Sequence, residues 1–310
     1  MRKPFERVPF AELPTLPRMP HAWGRTESRD ILIDSRSFGR VSCHVRTYGS
    51  GPPLLLVHGL MTASYSWRYV LEALGAHYTL YMLDLPGAGR SEGPDVTFSA
   101  DALATWINEV CEALGIVGCD AIGNSMGGYL CMQAALSYPG LFRRLVNIHS
   151  PGVPHPRYAA LGAALSTRAG EALLRWLVHR NPKEWVWRNV HYFDESLKSH
   201  EELEEYATPL STREGVRAFT RYMREALRNA EMTKFVATLA ARRDAGTPFP
   251  VPLLLLYSDR DPLVSPKNGD RFQSLIPSAK LSWLTNTSHF AHVDTPEPTV
   301  REVMGFFRAP

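Results

Sequence analysis

The sequence predicts an α/β protein built on a mostly parallel, eight-stranded sheet with helices on both faces. Short apolar runs alternate with stretches of helical periodicity, and a hairpin-like pair of strands precedes them. Such runs suit strands buried on both faces, and their alternation with helices is typical of a parallel sheet. The apolar runs are Pro53–Val57, Tyr78–Leu83, Val117–Ile122, Arg144–Ile148, Pro252–Tyr257 and Lys280–Leu284.

The other core elements follow from local patterns. Asp30–Ser35 and Arg40–Tyr48 are strand-like runs separated by a short turn, which predicts an antiparallel hairpin. Stretches with helical periodicity lie in most of the gaps between the apolar runs, and one more lies between the last run and the end of the chain. Helices are predicted over Ala63–Gly75, Ser99–Gly115, Met126–Tyr138, Pro266–Leu275 and Glu297–Phe307.

A long interruption of this alternation divides the chain. Residues 152–247 have helical periodicity and no convincing apolar strand, so we predict a helical cap (lid) domain inserted after the sixth strand. Residues 28–151 and 248–310 then form the core domain. Residues 1–27 are rich in proline and aperiodic, which indicates an extended N-terminal arm.

Composition limits the class of protein and its partners. The 310 residues are 45% hydrophobic and 21% charged, which excludes a disordered chain. A net charge of +3 is too small to indicate nucleic-acid binding. No secretory signal and no run of about 18 apolar residues is visible, so we expect a cytoplasmic protein without a membrane span. A homodimer is compatible with the sequence, which does not determine the oligomeric state.

The chain offers no recognisable pattern for a metal or an organic cofactor, and we expect neither. None of its four cysteines belongs to a CxxC pair or a zinc-finger spacing. The segment Gly87-Ala88-Gly89 lacks the third glycine of a dinucleotide-binding fingerprint.

The sharpest motif is Gly123-Asn124-Ser125-Met126-Gly127, which Gly128 follows. It lies between a predicted strand and a predicted helix, the context in which G-x-S-x-G forms a nucleophile elbow. A sharp turn there exposes the serine hydroxyl, and the glycines avoid collisions with neighbouring backbone. The helix directs free N–H groups and the positive end of its dipole at the site.

Together with four other segments, this motif resembles the α/β-hydrolases that carry a lid after the sixth strand. The segments are His58-Gly59-Leu60, Asp84–Ser91, Gly123–Gly128, Ser258–Val264 and Ser288–His292. The resemblance covers about residues 30–308. In this family the nucleophile, acid and base follow one another in that order along the chain.

The residue types leave two alternatives open for the base and for the acid. His289 and His292 both follow the last strand, and Asp259 and Asp261 both follow the strand Pro252–Tyr257. The resemblance assigns the base to His289 and the acid to Asp261, with Ser125 as nucleophile. His292 is then a loop residue, and Asp259 a turn residue bonded to its own backbone.

The resemblance also implies an oxyanion hole and a covered pocket. Its donors are the backbone N–H groups of Met126, directly after the nucleophile, and of Leu60. Bulky residues of the cap and of the base's loop are candidates for an apolar substrate pocket, although each is also compatible with packing between the lid and the core. These substrate-binding candidates are Trp176, Trp185, Trp187, Tyr192, Phe193 and Phe290.

These assignments predict a serine hydrolase that cleaves small-molecule carboxylic esters of neutral apolar acyl or aryl groups through an acyl-enzyme on Ser125. The alternative is a carbon–carbon bond hydrolase of the meta-cleavage type, acting on 2-hydroxy-6-oxo-dienoates. Those enzymes often carry tryptophan where this chain has Phe290. A perhydrolase or acyltransferase would use the same residues, and a non-catalytic receptor would share only the fold. Ser125 excludes relatives with an aspartate nucleophile, the dehalogenases and epoxide hydrolases.

Overall fold

One eight-stranded sheet organises the chain in a computed structural model that describes residues 3–308. The ends of the predicted arm and core, residues 1–2 and 309–310, lie outside the described residues. The strands are β1 (Glu27–Ser35), β2 (Gly39–Tyr48), β3 (Pro53–Val57), β4 (Thr79–Leu83), β5 (Cys119–Asn124), β6 (Phe142–Ile148), β7 (Leu253–Ser258) and β8 (Lys280–Leu284). Their order is β1-β2-β4-β3-β5-β6-β7-β8, and β2 pairs antiparallel with β1 and with β4. The other pairs are parallel, so the predicted fold class is confirmed.

Most predicted strands agree with the structure to within two residues, although β1 begins at Glu27, three residues before the predicted Asp30. The start of β5 is displaced from Val117 to Cys119. Gly118 has a positive φ of 83° and its N–H donates to Leu141 O at 2.8 Å, which makes this position a turn. Val117 is consequently exposed, although an apolar residue there suggested a strand.

Helices cover both faces of the sheet. They are α1 (Leu71–Gly75), α2 (Ala100–Leu114), α3 (Met126–Ser137), α10 (Lys267–Leu275), α11 (Ala291–Asp294) and α12 (Pro296–Arg308), the numbers α4 to α9 belonging to the segment between β6 and β7. Ser99 caps the start of α2 by accepting the N–H of Ala102, and Gly115 ends it with a φ of 68°. The predicted helix Ala63–Gly75 is instead a short 3-10 turn followed by α1, because Asp84 Oδ1 accepts the Ser64 N–H and holds this turn against the sheet.

Between β6 and β7 the chain forms a run of short helices, and we call residues 152–247 the helical insert. Its helices are α4 (Pro156–Leu165), α5 (Arg168–Arg180), α6 (Pro182–Asn189), α7 (His200–Ala207), α8 (Arg213–Arg221), a π-helical turn (Tyr222–Ala226) and α9 (Asn229–Asp244). Side-chain caps explain why the periodicity is divided into short pieces. Thr167, Asn181, Ser199 and Thr212 each accept the backbone N–H three residues onward, which starts α5, α6, α7 and α8.

The N-terminal arm packs against the helical insert. Pro14 O accepts the His200 N–H at 2.9 Å, and Val8 O accepts the Trp187 Nε1–H at 3.0 Å. The arm is not extended throughout, since it contains 3-10 turns at Phe10–Glu12 and Trp23–Arg25. In the described part of the chain, no helix combines the length and hydropathy needed to cross a bilayer.

Candidate active site

Ser125 occupies a strained turn between β5 and α3. Its φ is 53° and its ψ is −123°, a backbone conformation that residues other than glycine rarely adopt. The Ser125 N–H donates to Ile148 O at 2.7 Å, which ties the turn to β6. A Cβ on Gly127 would lie 2.3 Å from Val57 O, and one on Gly123 would lie 2.5 Å from Gly128 Cα. The glycines therefore permit the close backbone approach that the turn requires, as the sequence pattern predicted.

Asp261 and His289 meet at the carboxyl ends of β7 and β8. His289 Nδ1 lies 2.6 Å from Asp261 Oδ2, and both side chains are almost completely buried. Asp261 Oδ1 accepts the N–H groups of Leu263 and Val264 at 2.7 and 2.9 Å. Burial alone would raise the pKa of Asp261, but the adjacent imidazoles of His289 and His149 hold it well below its usual range. The carboxylate is thus ionised and can orient His289.

The two alternative residues have different surroundings. The Asp259 side chain is half exposed and lies beside Arg260, 3.8 Å away. His292 is buried, with its ring centroid 4.4 Å from that of Trp67, and burial lowers its pKa well below the usual range. In residues 3–308 neither ring nitrogen of His292 has a hydrogen-bond partner. Contact geometry therefore favours Asp261 with His289 over either alternative.

Hydrogen bonds connect the loop that carries His289 to the neighbouring strands and to the helical insert. Asn124, inside the serine motif, donates from Nδ2 to His289 O at 3.1 Å, and Ser258 Oγ donates to Thr287 O at 2.5 Å. Asp294 accepts the Ser288 N–H at 2.7 Å and the Phe193 N–H at 2.9 Å, which links this loop to the helical insert. Asn124, Ser258 and Ser288 lie in the sequence segments that carry the family resemblance, whereas Asp294 lies in none of them.

The oxyanion-hole candidates are the backbone N–H groups of Leu60 and Met126. Across the described residues, neither the Leu60 N–H nor the Met126 N–H donates an internal hydrogen bond, so both donors are free. His58 shapes this loop: its Nδ1 donates to Gly59 O at 2.8 Å and its Nε2 accepts the Leu85 N–H at 3.0 Å. With both ring nitrogens engaged and its pKa lowered by burial, His58 has a structural role.

A narrow cavity lies beside these donors, and we call it the Met126 cavity. Its volume is about 20 Å³, room for about one water molecule. The core side contributes His58–Thr62, Gly87, Ala88 and Met126, and the insert contributes Tyr206, Pro209, Leu210, Phe219 and Tyr222. In residues 3–308 no hydrogen bond joins Ser125 Oγ to His289; such contacts often tighten only when a substrate binds.

None of the predicted pocket residues lines this cavity, so that expectation needs correction. Trp176 is 55% exposed and stacks under Arg180, because it lies on the outer face of α5. Trp187 faces the arm, where it packs edge-on against Phe10. Trp185 does not reach the cavity itself, but packs against Phe219, which lines it.

Of the other three predicted pocket residues, Tyr192 and Phe290 pack against each other between the insert and the loop of His289, whereas the Phe193 ring contacts the arm. Tyr192 is fully buried and packs edge-on against Phe290. Phe193 packs against Phe5 of the arm. Helical periodicity could not separate Tyr192 and Phe193 from Phe219 and Tyr222, because all four are aromatic residues of the same insert.

The structure adds one residue that the sequence patterns did not single out. His149 follows β6 directly, and its Nδ1 lies 3.2 Å from Asp261 Oδ2. Potential ligand atoms of His149, Asp261 and His289 all lie within 4.8 Å of one another. The 2.6 Å contact between His289 Nδ1 and Asp261 Oδ2 is a hydrogen bond, and His149 approaches the same carboxylate oxygen.

Comparison with known proteins agrees with this architecture. The model of the alpha/beta hydrolase fold family matches residues 52–296. The chain belongs to this family. In this α/β hydrolase the turn that carries Ser125 follows β5 and the His289 loop follows β8, at the same edge of the sheet.

Two relatives match most of this α/β hydrolase. It is 26% identical over 261 residues to the uncharacterized hydrolase YugF of Bacillus subtilis, covering 82% of this chain and 89% of that protein. It is 27% identical over 250 residues to the 2-hydroxymuconate semialdehyde hydrolase of Pseudomonas sp. strain CF600, covering 79% of this chain and 83% of that protein. The hydrolase class is common to both.

Solved structures support the same fold. The epoxide hydrolase CorEH superposes with a TM-score of 0.75 at 21% identity, covering 91% of this chain and 98% of that one. A thermophilic esterase from Thermogutta terrifontis gives a TM-score of 0.68 at 21% identity, covering 90% and 98% of the two chains. Identities this low establish the fold and not the reaction.

Proposed function

We propose that this α/β hydrolase is a serine hydrolase that cleaves carboxylic esters of neutral apolar acyl or aryl groups. One observation carries the proposal: a buried, ionised Asp261 holds His289 Nδ1 at 2.6 Å, at the sheet edge where Ser125 projects from its elbow. A serine hydroxyl is a weak nucleophile unless such a base accepts its proton.

The chemistry follows from these positions. His289 Nε2 accepts the Ser125 proton as Oγ attacks the ester carbonyl, and the free N–H groups of Leu60 and Met126 stabilise the oxyanion. His289 then donates that proton to the departing alcohol, which leaves an acyl-enzyme. Water attacks the acyl carbon with His289 again as base, and Ser125 is released. Asp261 keeps the His289 proton on Nδ1 throughout, so that Nε2 is free to accept.

The helical insert acts as a cap over this site. Five of its residues line the Met126 cavity. The volume of this cavity, about 20 Å³, is far below the roughly 300–1,000 Å³ of typical ligand pockets. A substrate that binds in the Met126 cavity therefore requires the insert to move away from the core and close over it. The link from Asp294 to Phe193 connects such a movement to the loop of His289.

The cavity walls favour a neutral substrate. Leu60, Leu210 and Phe219 are apolar, and none of the cavity-lining residues in the described chain has a side chain charged at neutral pH. The buried cation Arg68 donates to the cavity-lining Tyr206 OH at 3.4 Å and is paired with Glu202. A substrate carboxylate would consequently lack a free positive partner at this wall.

The uncharged wall of the Met126 cavity favours the ester among the two candidate reactions. The relative from Pseudomonas sp. strain CF600 is named as a 2-hydroxymuconate semialdehyde hydrolase, which keeps the carbon–carbon hydrolase as the second candidate. Its dienoate substrates carry a carboxylate, so they would require a site that this cavity does not offer. An ester of a small apolar acid has no such requirement.

Acyl chain length is expected to control the rate of ester hydrolysis. Each buried CH₂ contributes about 0.8 kcal/mol, so p-nitrophenyl butyrate should exceed the acetate in kcat/KM by up to about fifteenfold. Octanoate and palmitate should then decline as the chain outgrows the pocket. The measurement is kcat/KM for these four esters beside a 2-hydroxy-6-oxo-dienoate at the same pH.

The same panel decides between the candidates. A dienoate advantage of about a hundredfold or more over every ester would replace the esterase assignment with the carbon–carbon hydrolase. A flat and very slow profile across all five substrates would instead favour a non-catalytic protein on this fold.

Removal of the proposed base, His289, should greatly reduce the rate of ester hydrolysis. His289→Ala is expected to lower kcat by about 10⁴-fold, because no group then accepts the Ser125 proton. The matched control is His292→Ala, which removes a second buried imidazole from the same loop and should cost less than about tenfold. Both rates are measured on folded protein below the melting temperature of each variant. A larger loss in the His292 variant would contradict the assignment of the base.

A further inference from the structure

His149 lies beside the proposed catalytic acid, where the chain leaves β6. Its side chain is fully buried and its φ is 54°. His149 Nδ1 is 3.2 Å from Asp261 Oδ2, the oxygen that His289 Nδ1 also contacts at 2.6 Å. The ring centroids of the two histidines are 5.9 Å apart. Two imidazoles therefore flank one carboxylate oxygen.

No other partner accounts for this buried ring. Within residues 3–308, neither ring nitrogen of His149 has an aligned hydrogen bond, and the 3.2 Å approach to Asp261 is oblique. Leaving a buried imidazole N–H without an acceptor is unfavourable, and Asp261 Oδ2 is within reach. A small rotation of the ring, with the proton on Nδ1, satisfies the N–H and gives the carboxylate a further donor.

The charge states of the surroundings are compatible with a neutral donor. Burial lowers the pKa of His149, so that the ring carries a single N–H at neutral pH. The titratable groups that face it or share its carboxylate are Asp261 and His289 from the loops after β7 and β8, Tyr257 from β7, His292 from α11 and Tyr158 from α4. Burial raises the pKa of Tyr158 to about 12 and holds the pKa of Tyr257 well above its usual range, so neither phenol is ionised at neutral pH.

We propose that His149 is a positioning residue that donates its Nδ1–H to Asp261 Oδ2 and thereby shares this oxygen with His289. The kinetic part of the proposal rests on the proposed serine-hydrolase function. With Leu263 and Val264 on Oδ1, the carboxylate then has donors on both oxygens and cannot rotate away from His289.

The proposed hydrogen bond predicts the direction in which the pH profile shifts when the His149 N–H is removed. The positive end of the His149 N–H dipole lies near Oδ2 and reduces the ability of Asp261 to stabilise a protonated His289. Removing that N–H should therefore favour protonated His289 and move the acidic limb of the pH profile to higher pH. A residue with only a packing role would not shift the limb in this way.

The wild-type protein provides the first test, which needs neither activity nor a variant. Nitrogen-15 NMR of the histidine rings reports which nitrogen carries the proton. We expect His149 to hold its proton on Nδ1, with Nε2 unprotonated, between about pH 6 and 8. A proton on Nε2 would overturn the proposal, whatever reaction the protein catalyses.

Two variants provide the second test. His149→Leu removes the donor, whereas His149→Asn keeps an N–H near the position of Nδ1 and tolerates the positive φ. We expect the midpoint of the acidic limb of kcat/KM to rise by about 0.5–1 pH unit in the leucine variant. The asparagine variant should keep the wild-type midpoint and a kcat within about threefold.

The outcomes are distinct. A wild-type midpoint in the leucine variant, or an equal shift in both variants, would contradict the proposal. If His149→Leu does not fold, a shifted midpoint in the asparagine variant would contradict the proposal by itself. Failure of the proposed function would be recognised separately. In that case Ser125→Ala would retain activity, while the NMR result on His149 would be unaffected.

Discussion

Replacing Ser125 by alanine is expected to lower kcat by about 10⁴–10⁶-fold while leaving the protein folded. The rate falls because no other group in the proposed mechanism attacks the carbonyl. The fold should persist because, in the described chain, the Ser125 hydroxyl makes no internal hydrogen bond, and alanine adopts the φ of 53° at about the same cost as serine. Steady-state kinetics with p-nitrophenyl butyrate, together with circular dichroism, measures both effects.

Ser150→Ala is the matched control for this variant. Ser150 lies close to the elbow and donates from Oγ to Ser125 O at 3.0 Å, but its hydroxyl has no part in the chemistry. Its removal should reduce kcat by less than about tenfold. Comparable losses in the two variants would indicate that the elbow had been distorted, and near-normal turnover by Ser125→Ala would exclude it as nucleophile.

Exchanging the Asp261 carboxylate for an amide should cost about 10⁴-fold in kcat, the size of effect seen when the acid of a serine triad becomes an amide. In Asp261→Asn the side-chain oxygen can still accept the N–H groups of Leu263 and Val264. The new NH₂ then faces His289 Nδ1, which must accept instead of donate. His289 consequently carries its proton on Nε2 and cannot take one from Ser125.

Asp259→Asn makes the same chemical change two residues earlier. Asp259 is half exposed and contacts Arg260, so kcat should change by less than about threefold. Thermal melting of both variants separates a catalytic loss from a loss of folded protein. Equal activities in the two variants would refute the assignment of Asp261 as the acid.

The fold was accessible from sequence because its signals are local. Apolar runs are long enough to mark buried strands, and Ser99 and Gly115 mark the ends of α2 by capping. The errors occur where backbone conformation overrides hydrophobicity. Gly118 turns the chain before β5, and the contact of Asp84 with Ser64 holds the segment before α1 in a 3-10 turn.

The candidate site was predictable in part, for a related reason. The glycines around Ser125 and the chain order of Ser125, Asp261 and His289 are properties of the sequence itself. Which aromatic residues face the Met126 cavity depends on how the insert packs on the core and on the arm. Trp187 contacts Phe10 and not the cavity, because the arm covers that face of α6. His149 carried no motif, since its contact with Asp261 depends on the positions of β6 and β7.

Identification of the covalently modified residue tests the central claim most directly. The protein is inactivated with an organophosphate, digested and sequenced by tandem mass spectrometry, with Ser125→Ala treated in parallel. Because Ser125 is the proposed nucleophile, one phosphoryl group per chain is expected on the peptide that contains Ser125, and none on that of the variant. Inactivation with the label on another residue, or full activity after labelling of Ser125, would contradict the proposed mechanism.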